Sequence, residues 1–260
     1  MSAALEPVSA PRGAVSLPPV DGVLFDIDDT LVATREAFGH ALSQIARRYL
    51  PGVTPERDEE LVTAWRADVT DGYGRYTRGE TTYREQRMAR ANDLHAQFGG
   101  PVLDDDVYDA WDAVFDAAFR SAWAPHDDAS AVVDELLTAG LVVGALSNAA
   151  TAYQVAKLER AGLGDRVPML VGVDTLGFGK PDPRAFAEAC RRLGTDPART
   201  AYVGDDVVLD AIASSDAGLV GIWLDRPGDR RLPVTNDQAA AVQARITSLD
   251  ELPALLGLSA

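Results

Sequence analysis

Two aspartates, Asp26 and Asp28, stand two residues apart directly after the apolar run Gly22-Val-Leu-Phe25. Such a run indicates a buried strand, so both carboxylates lie where the chain leaves the sheet. In an open parallel sheet, ligands bind beyond the carboxyl ends of the strands. The pattern therefore predicts that Asp26 and Asp28 converge on one ligand, with one carboxylate available as a nucleophile and the other as an acid.

The rest of the chain divides into an all-helical stretch and an alternating stretch. Amphipathic periodicity predicts four helices in the first, at 37–49, 55–65, 81–98 and 105–122. Beyond residue 130, helical segments alternate with apolar runs, which lie at 141–146, 168–173, 200–203 and 218–224. This alternation is typical of parallel α/β architecture. The sequence therefore predicts an α/β fold with a helical insertion after its first strand.

Composition limits the classes of partner. A formal net charge of −16 argues against the basic surface that nucleic-acid binding requires, so no nucleic-acid partner is expected. Cys190 is the only cysteine, which excludes an internal disulfide and favours a reducing cytoplasm. No run approaches the roughly 18 apolar residues of a membrane span. We expect a cytoplasmic protein with no membrane partner, a flexible extension over residues 1–20, and a monomeric or homodimeric state.

Polar residues also follow three of the later predicted strands. Ser147 and Asn148 offer a hydroxyl, an amide and backbone N–H groups for phosphate oxygens. Lys180 stands on a loop shaped by Gly and Pro, just before a helix. The third group supplies carboxylates for a hard divalent cation: Asp205, Asp206 and Asp210.

The order of these motifs resembles that of the haloacid dehalogenase-like (HAD) hydrolase superfamily, phosphatase type, over about residues 21–256. The four motifs of the superfamily are matched, in order, by Asp26 with Asp28, Ser147, Lys180, and Asp205 with Asp210. The resemblance implies a Rossmann-like doubly wound parallel sheet over 21–35 and 124–260. It also implies that residues 36–123 form a helical cap of the first (C1) type, which closes over the strand ends and excludes water.

The resemblance further implies roles for the acidic residues. Asp26 is the expected nucleophile, forming an aspartyl-phosphate. Asp28 is expected to protonate the leaving alkoxide and then to accept a proton from the hydrolytic water. The expected cofactor is Mg²⁺, held by the Asp26 carboxylate, the Asp28 backbone carbonyl and Asp205, with Asp210 supporting these ligands.

Four residues are expected to bind the transferred phosphoryl group. Ser147, Asn148 and Lys180 offset the charge on its oxygens, and Thr30 belongs to the same set by orienting the catalytic loop. Without a divalent ion and Lys180, the surrounding carboxylates would repel an anionic substrate.

Residues 65–80 are richer in aromatic residues, Arg and Gly than a plain helix. Arginine suits a second anionic group and an aromatic ring can stack on a base or sugar, so the substrate could be a nucleotide or a sugar phosphate. Ordinary helix packing with an exposed turn stays open as the alternative. The candidate substrate contacts in this segment are Trp65, Arg75, Tyr76 and Arg78.

Other chemically versatile residues have structural interpretations. Asp29 and Asp206 are expected to be turn or helix N-cap residues rather than metal ligands. Cys190 is expected to be a buried structural thiol. The histidines lack metal-ligand spacing and are interpreted as structural or surface residues: His40, His95 and His126.

The favoured function is a magnesium-dependent phosphatase that hydrolyses a small phosphate monoester of a metabolite. A phosphomutase of the same superfamily is an alternative, since it differs mainly in whether water or a second hydroxyl receives the phosphoryl group. In a 2-haloacid dehalogenase, the position of Asp28 typically lacks the acid and no metal is required. A non-catalytic binding protein would be expected to carry a damaged site, and none is evident.

Overall fold

A six-stranded, all-parallel sheet forms the centre of the protein. The computed structural model describes residues 17–258 apart from 229, 231 and 232. The strands are β1 (Gly22–Phe25), β2 (Val142–Leu146), β3 (Met169–Val171), β4 (Thr200–Gly204), β5 (Val220–Leu224) and β6 (Ala244–Ile246). Their order is β3-β2-β1-β4-β5-β6. Because the order reverses between β1 and β4, a crevice for ligands is expected at the carboxyl ends of these two strands.

Five helices lie between β1 and β2. They are α1 (Thr34–Tyr49), α2 (Asp58–Ala67), α3 (Gly72–Thr77), α4 (Tyr83–Phe98) and α5 (Asp105–Ser121), with a 3₁₀ turn at Pro55–Arg57. Thr82 begins α4 with a reciprocal capping box to Glu85, and the Asp104 side chain caps the start of α5. Gly99 ends α4 with a positive φ of 76°. These capping residues set the two ends of α4 and the start of α5, close to the boundaries that the sequence periodicity predicts.

Six further helices connect and cover the strands. They are α6 (Ala129–Thr138), α7 (Thr151–Arg160), α8 (Pro183–Leu193), α9 (Ala213–Asp216), α10 (Asn236–Ala241) and α11 (Leu252–Leu255). A π-helical turn, Val207–Ile212, leads into α9, and 3₁₀ turns lie at Val173–Thr175, Pro197–Arg199 and Leu249–Glu251. None of the described helices is both long enough and apolar enough to cross a membrane.

The sheet and the helical insertion have separate apolar cores. Strand residues such as Val23 and Phe25 pack with α6 on one face of the sheet, while Leu24 packs on the other face. The insertion buries its own cluster, which includes Leu42 and Trp111. This separation favours the predicted division into a catalytic core and a helical cap, and the division itself stays a prediction.

The predicted α/β class with a parallel sheet is confirmed. The sequence did not predict several short elements, among them α3, α10, β6 and α11. Helix α3 has six residues, of which two are glycines, so its helical propensity is low. Strand β6 has three residues and follows α10 with no long apolar run to mark it. The expectation of a flexible extension over 1–20 falls mostly on residues 1–16, which lie outside the described residues.

Candidate active site

Asp26 lies immediately beyond β1, beside the reversal in strand order. Lys180 Nζ donates to Asp26 Oδ1 at 2.6 Å, to Asp210 Oδ1 at 2.6 Å and to the Tyr202 hydroxyl at 2.8 Å. Burial raises the pKa of Asp26 to about 7, although the charge of Lys180 opposes the rise. Burial disfavours the Lys180 ammonium, but Asp210 and Asp26 outweigh it and hold the lysine pKa well above its usual value. Lys180 is therefore a permanent cation beside the candidate nucleophile.

Asp28 lies in the same loop and is held by three donors. Lys157 Nζ and the Thr34 hydroxyl, the latter at 2.9 Å, donate to Oδ1, and Gln154 Nε2 donates to Oδ2 at 2.6 Å. Burial would raise the pKa of Asp28, but the charge and hydrogen bond of Lys157 outweigh it and hold the pKa below its usual value. Gln154 Nε2 also donates to Ser147 Oγ at 2.8 Å. This contact ties the carboxylate after β1 to the hydroxyl after β2.

Ser147 and Asn148 follow β2 and have different hydrogen-bond partners. The buried Ser147 side chain lines the space over Asp26, as predicted for a phosphate ligand. The Asn148 amide is engaged with the backbone of Lys180, donating to its carbonyl at 2.9 Å and accepting from its N–H at 2.7 Å. Both amide atoms therefore position the loop that carries Lys180, and the residue also lines the cavity over Asp26, so its expected role in phosphate binding stays a prediction.

Three carboxylates converge at the ends of β1 and β4. Oxygen atoms of Asp26, Asp205 and Asp210 lie within 4.8 Å of one another. Burial, followed by the charges of Asp29 and Asp210, raises the pKa of Asp205 well above its usual value. Asp206 is not one of these three residues and, as predicted, caps the following turn by accepting from the N–H groups of residues 208 and 209 at 3.0 Å.

Asp29 has the predicted turn and capping role and an additional ion pair. Its φ is 61°, and its Oδ1 accepts from the Arg35 N–H at 2.7 Å in the first turn of α1. Arg66 on α2 donates to Oδ2 at 2.8 Å, so the pair joins the loop after β1 to the helical insertion. Thr30 is fully buried and lines neither of the two described cavities. Its carbonyl accepts from Arg226, and its expected role in orienting the loop at the phosphate site stays a prediction.

A cavity of about 410 Å³ opens over the two catalytic candidates. Its floor includes Asp26, Asp28, Ser147, Lys180 and Asp205. Its opposite side comes from the helical insertion and includes Trp65, Tyr73, Tyr76, Tyr83, Gln86 and Arg87. The cavity thus joins the strand ends to the insertion, as expected for a substrate pocket with a lid.

The four predicted substrate contacts in residues 65–80 separate into two groups. Trp65 and Tyr76 line the cavity over Asp26. Arg78 lines a neighbouring cavity and pairs with Asp71 at 2.8 Å and Glu80 at 2.7 Å. The exposed Arg75 side chain lies 3.7 Å from Glu80 and lines neither cavity, and its contact with the substrate stays a prediction.

Lys157 is the most informative residue that the sequence interpretation missed. Besides its ion pair with Asp28, its ammonium lies 5.5–5.6 Å from the ring centroids of Phe119, Trp123 and Tyr153. Such ring faces attract a cation, so the lysine is held by both charge and packing. The sequence carried a signal for it: Lys157 and Lys180 are the only lysines in the chain, whose other cationic side chains are arginines. Both lysines contact a catalytic candidate.

The remaining predicted structural residues behave as expected. Buried His95 accepts from Trp111 Nε1 at 3.0 Å, and its Nδ1 lies 2.8 Å from the carbonyl oxygen of Pro101. His40 is exposed, and Cys190 is buried. Within the described part of the chain, no histidine joins a cluster that could hold a metal ion.

Comparison with known proteins places these features in a family context. A family model for haloacid dehalogenase-like hydrolases matches residues 20–218. Ribulose-1,5-bisphosphate 5-phosphatase of Halopiger xanaduensis is 28% identical over 91% of this chain and 98% of its own length. N-acetylmuramic acid 6-phosphate phosphatase of Pseudomonas aeruginosa is 30% identical over 75% of this chain and 77% of its own.

The fold is also shared with a dehalogenase. The solved L-2-haloacid dehalogenase from Xanthobacter autotrophicus superimposes with a TM-score of 0.70, covering 93% of this chain and 100% of its own, at 21% identity. At that identity the match shows a common fold and leaves the reaction to be argued from the site.

Proposed function

Because the chain belongs to the haloacid dehalogenase-like hydrolase family, we propose that it is a magnesium-dependent phosphatase acting on a small phosphate monoester. The observation that carries the proposal is the buried Asp26 carboxylate, which contacts Lys180 and shares one cavity with Asp28. The two phosphatases with which the chain aligns over most of its length support the same reaction class.

In the first half of the proposed reaction, a carboxylate oxygen of Asp26 attacks phosphorus. The bond between phosphorus and the leaving oxygen breaks as the aspartyl-phosphate forms. Asp28 gives its proton to that oxygen, which departs as an alcohol. A nucleophile and an acid two residues apart on one loop can therefore act on opposite sides of the same phosphoryl group.

In the second half, water attacks phosphorus and Asp28 accepts its proton, which releases phosphate and restores Asp26. The lowered pKa of Asp28 suits this step, because the residue is then a carboxylate near neutral pH. Its acid role requires a proton in the substrate complex. A bound phosphate dianion raises the pKa of a neighbouring carboxyl group, since like charges disfavour ionisation.

The Lys180 ammonium and the Ser147 hydroxyl are proposed to hold the transferred phosphoryl group. Lys180 lies within hydrogen-bonding distance of Asp26 and offsets the charge that develops on phosphoryl oxygens. The Ser147 hydroxyl lines the same cavity and accepts from Gln154, so its own proton is available for a phosphate oxygen. Asn148 contributes by positioning the Lys180 backbone.

The donor set fits Mg²⁺, a hard cation that prefers carboxylate and carbonyl oxygens. The oxygens of Asp26, Asp205 and Asp210 are close together, and repulsion and burial raise their pKa values. We infer that Asp26, Asp205 and the Asp28 carbonyl would hold the ion, while Asp210 anchors Lys180. When bound, the ion supplies positive charge that keeps the carboxylates ionised and draws in the anionic substrate.

A dehalogenase is the less favoured alternative. A halide leaves as an anion and needs no proton, so that reaction gives no use to Asp28 as an acid. It also requires no metal ion, so it gives no use to the carboxylate cluster at the ends of β1 and β4 as a metal site. A phosphomutase uses the same groups as a phosphatase and differs in its acceptor, so it is distinguished by its product.

Phosphate release is the test of this function. Nucleoside monophosphates, sugar phosphates and small organic phosphates would be incubated with the protein, with and without Mg²⁺. We expect metal-dependent release that falls by about 10⁴-fold or more in Asp26→Asn, as losing a nucleophile predicts. The exposed Asp165 provides a matched control, Asp165→Asn, with wild-type activity.

Other outcomes would revise the proposal. Unchanged activity in Asp26→Asn would remove Asp26 as the nucleophile. An isomeric sugar phosphate formed without free phosphate would identify a phosphomutase. Release of halide from a 2-haloacid, with no phosphate release from any substrate, would favour the dehalogenase.

A further inference from the structure

The hydroxyl of Tyr202 lies where three segments of the candidate active site meet. Tyr202 is a fully buried residue of β4, three positions before Asp205, and its ring packs edge-on against Phe186 of α8 at a centroid distance of 5.1 Å. Its hydroxyl accepts from Lys180 Nζ at 2.8 Å and lies 3.0 Å from the carbonyl oxygen of Leu146. One side chain of β4 thus contacts the end of β2 and the Lys180 side chain.

Packing alone does not explain a hydroxyl at this position. The ring of Tyr202 belongs to a buried apolar cluster that includes Leu24, Phe186 and Ala189. A phenylalanine would fill the same space, and a buried hydroxyl costs free energy unless it is hydrogen-bonded. The hydroxyl therefore has a polar role, which its contact with Lys180 indicates.

The Lys180 ammonium has three protons and three acceptors. Asp26 Oδ1 and Asp210 Oδ1 each accept at 2.6 Å, and the Tyr202 hydroxyl is the third acceptor. The lysine side chain is only 4% exposed, so a proton without an acceptor would be buried at a cost in free energy. Three acceptors on separate segments also restrict the ammonium more than two carboxylates alone would.

The phenolic proton of Tyr202 has an acceptor of its own. Its candidate acceptors are the Leu146 carbonyl oxygen at 3.0 Å and Asp210 Oδ1 at 3.3 Å. Since the carbonyl is nearer and Asp210 Oδ1 already accepts from Lys180, we assign the proton to the carbonyl. A lone pair of the phenol oxygen is then available to Lys180, so Tyr202 acts toward the ammonium as an acceptor.

The bond from Lys180 to Asp26 differs from the other two, because Asp26 changes during the proposed reaction. Once its carboxylate has bonded to phosphorus, it no longer carries a negative charge, whereas the phosphoryl oxygens do. The N–H group directed at Asp26 is then the one available to stabilise those oxygens. Tyr202 lines neither of the two described cavities, so it acts through Lys180 and not by touching substrate.

We propose that Tyr202 is a positioning residue: together with Asp210 it occupies two N–H groups of Lys180 and so directs the third toward Asp26 and the phosphoryl group. The inference rests on the proposed phosphatase function and adds to it a residue that lies outside the substrate cavity.

NMR of the lysine ammonium groups tests the contact directly. The chain has only two lysines, Lys157 and Lys180, so labelling lysine Nζ with ¹⁵N gives two ammonium signals, which Lys157→Met assigns. In the wild type with Mg²⁺, the Lys180 hydrogens should exchange with water at least about 100-fold more slowly than those of free lysine, because all three are bonded and buried. In Tyr202→Phe their exchange should be at least about 10-fold faster, while the Lys157 signal stays unchanged.

Turnover of p-nitrophenyl phosphate gives the second readout. We expect kcat of Tyr202→Phe to fall by about 10-fold, while KM changes by less than about 3-fold because the hydroxyl touches no substrate. Tyr108→Phe is the matched control. Tyr108 is also buried, but its hydroxyl has no hydrogen-bond partner among the described residues and it lines neither described cavity. This variant should keep the wild-type kcat and both ammonium signals.

The outcomes separate this inference from the function on which it rests. An unchanged Lys180 signal in Tyr202→Phe, or a changed signal with wild-type kcat, would overturn the positioning role alone. If that variant fails to fold, the wild type decides: Lys180 hydrogens that exchange as fast as those of free lysine would contradict the arrangement of three acceptors. No phosphate release from the wild type with any phosphate ester would refute the phosphatase function, and the positioning role with it, whatever the exchange rates.

Discussion

The two sides of the cavity differ in how their polar groups are bonded. At the strand ends, Lys180 makes three hydrogen bonds and the Asp28 carboxylate accepts three. On the opposite side of the cavity, Trp65, Gln86 and Arg87 each bury a polar atom that has no hydrogen-bond partner among the described residues. The first region is an extensively bonded polar network, whereas the second is lined mainly by aromatic rings.

This difference matches the demands of the two tasks. Electrostatic catalysis requires charges that are already in place, because reorienting them during the reaction would cost free energy and reduce the stabilisation of the transition state. Recognition of a leaving group instead depends on the shape and chemistry of the surface around it. The contrast leads us to expect that changes at the strand ends reduce turnover of every substrate, while changes on the helical side of the cavity alter the choice among substrates.

Removal of divalent cations should have the largest effect. Burial raises the pKa of Asp26 to about 7, so without a cation part of the nucleophile is protonated near neutral pH. The carboxylates that stay ionised repel an anionic substrate. We expect chelation to lower activity by at least about 10³-fold on all substrates, and added Mg²⁺ to restore it. Circular dichroism checks that the fold is retained. Full activity after complete removal of metal would contradict the proposed ligand set.

Replacing Lys157 should have an intermediate effect. Without its charge, burial raises the pKa of Asp28, and we expect kcat in Lys157→Met to fall by about 10- to 100-fold. With p-nitrophenyl phosphate the leaving group departs without a proton, so only the base role of Asp28 limits the rate. The acidic limb of the kcat profile should therefore move to higher pH.

Arg160→Met on the same helix is the control for Lys157→Met, because Arg160 is exposed and contacts neither Asp26 nor Asp28. It should keep the wild-type profile. If the acidic limb stays in place in Lys157→Met, the ion pair does not set the pKa of Asp28.

The smallest effect concerns the stability of the helical insertion. Burial lowers the pKa of His95, so the unfolded chain, with a value near 6.5, binds the proton more readily than the folded protein. The free energy of unfolding should therefore decrease as the pH falls below about 6.5. Urea unfolding at pH 7.5 and 5.5 measures this decrease.

The variant His95→Gln keeps an acceptor for Trp111 but does not titrate, so its unfolding free energy should depend less on pH than that of the wild type. The exposed His40 gives the control His40→Gln, which should keep the wild-type dependence. If His95→Gln and the wild type showed the same pH dependence, His95 would make no contribution to the change in unfolding free energy with pH.

The sequence predicted the features that depend on short segments. Strand runs followed by polar residues located Asp26, Ser147 and Asp205, because the carboxyl ends of parallel strands share one edge of the sheet. Helix ends were predictable where capping residues mark them, as at α4 and α5. Short elements without such signals, α3 and β6, were not.

Partnerships between distant side chains were harder to predict. The pairing of the Asn148 amide with the Lys180 backbone joins positions 32 residues apart, and that of Lys157 with Asp28 joins positions 129 apart. Arg75 and Arg78 had the right chemistry for a substrate, but neighbouring carboxylates pair with both. Residue type suggests what a side chain can do, and the packing of the chain decides which partner it meets.

The central claim is that Asp26 carries the phosphoryl group during turnover. In Asp28→Asn, p-nitrophenyl phosphate should still phosphorylate Asp26, since its leaving group needs no proton. Hydrolysis of the resulting aspartyl-phosphate should be slow, because the variant lacks the base that accepts a proton from water. Quenching with borohydride reduces an aspartyl-phosphate to homoserine, which mass spectrometry of the peptide can locate. The account predicts homoserine at position 26 only after incubation with substrate and Mg²⁺. Unmodified Asp26 in a sample that has released p-nitrophenol would contradict it.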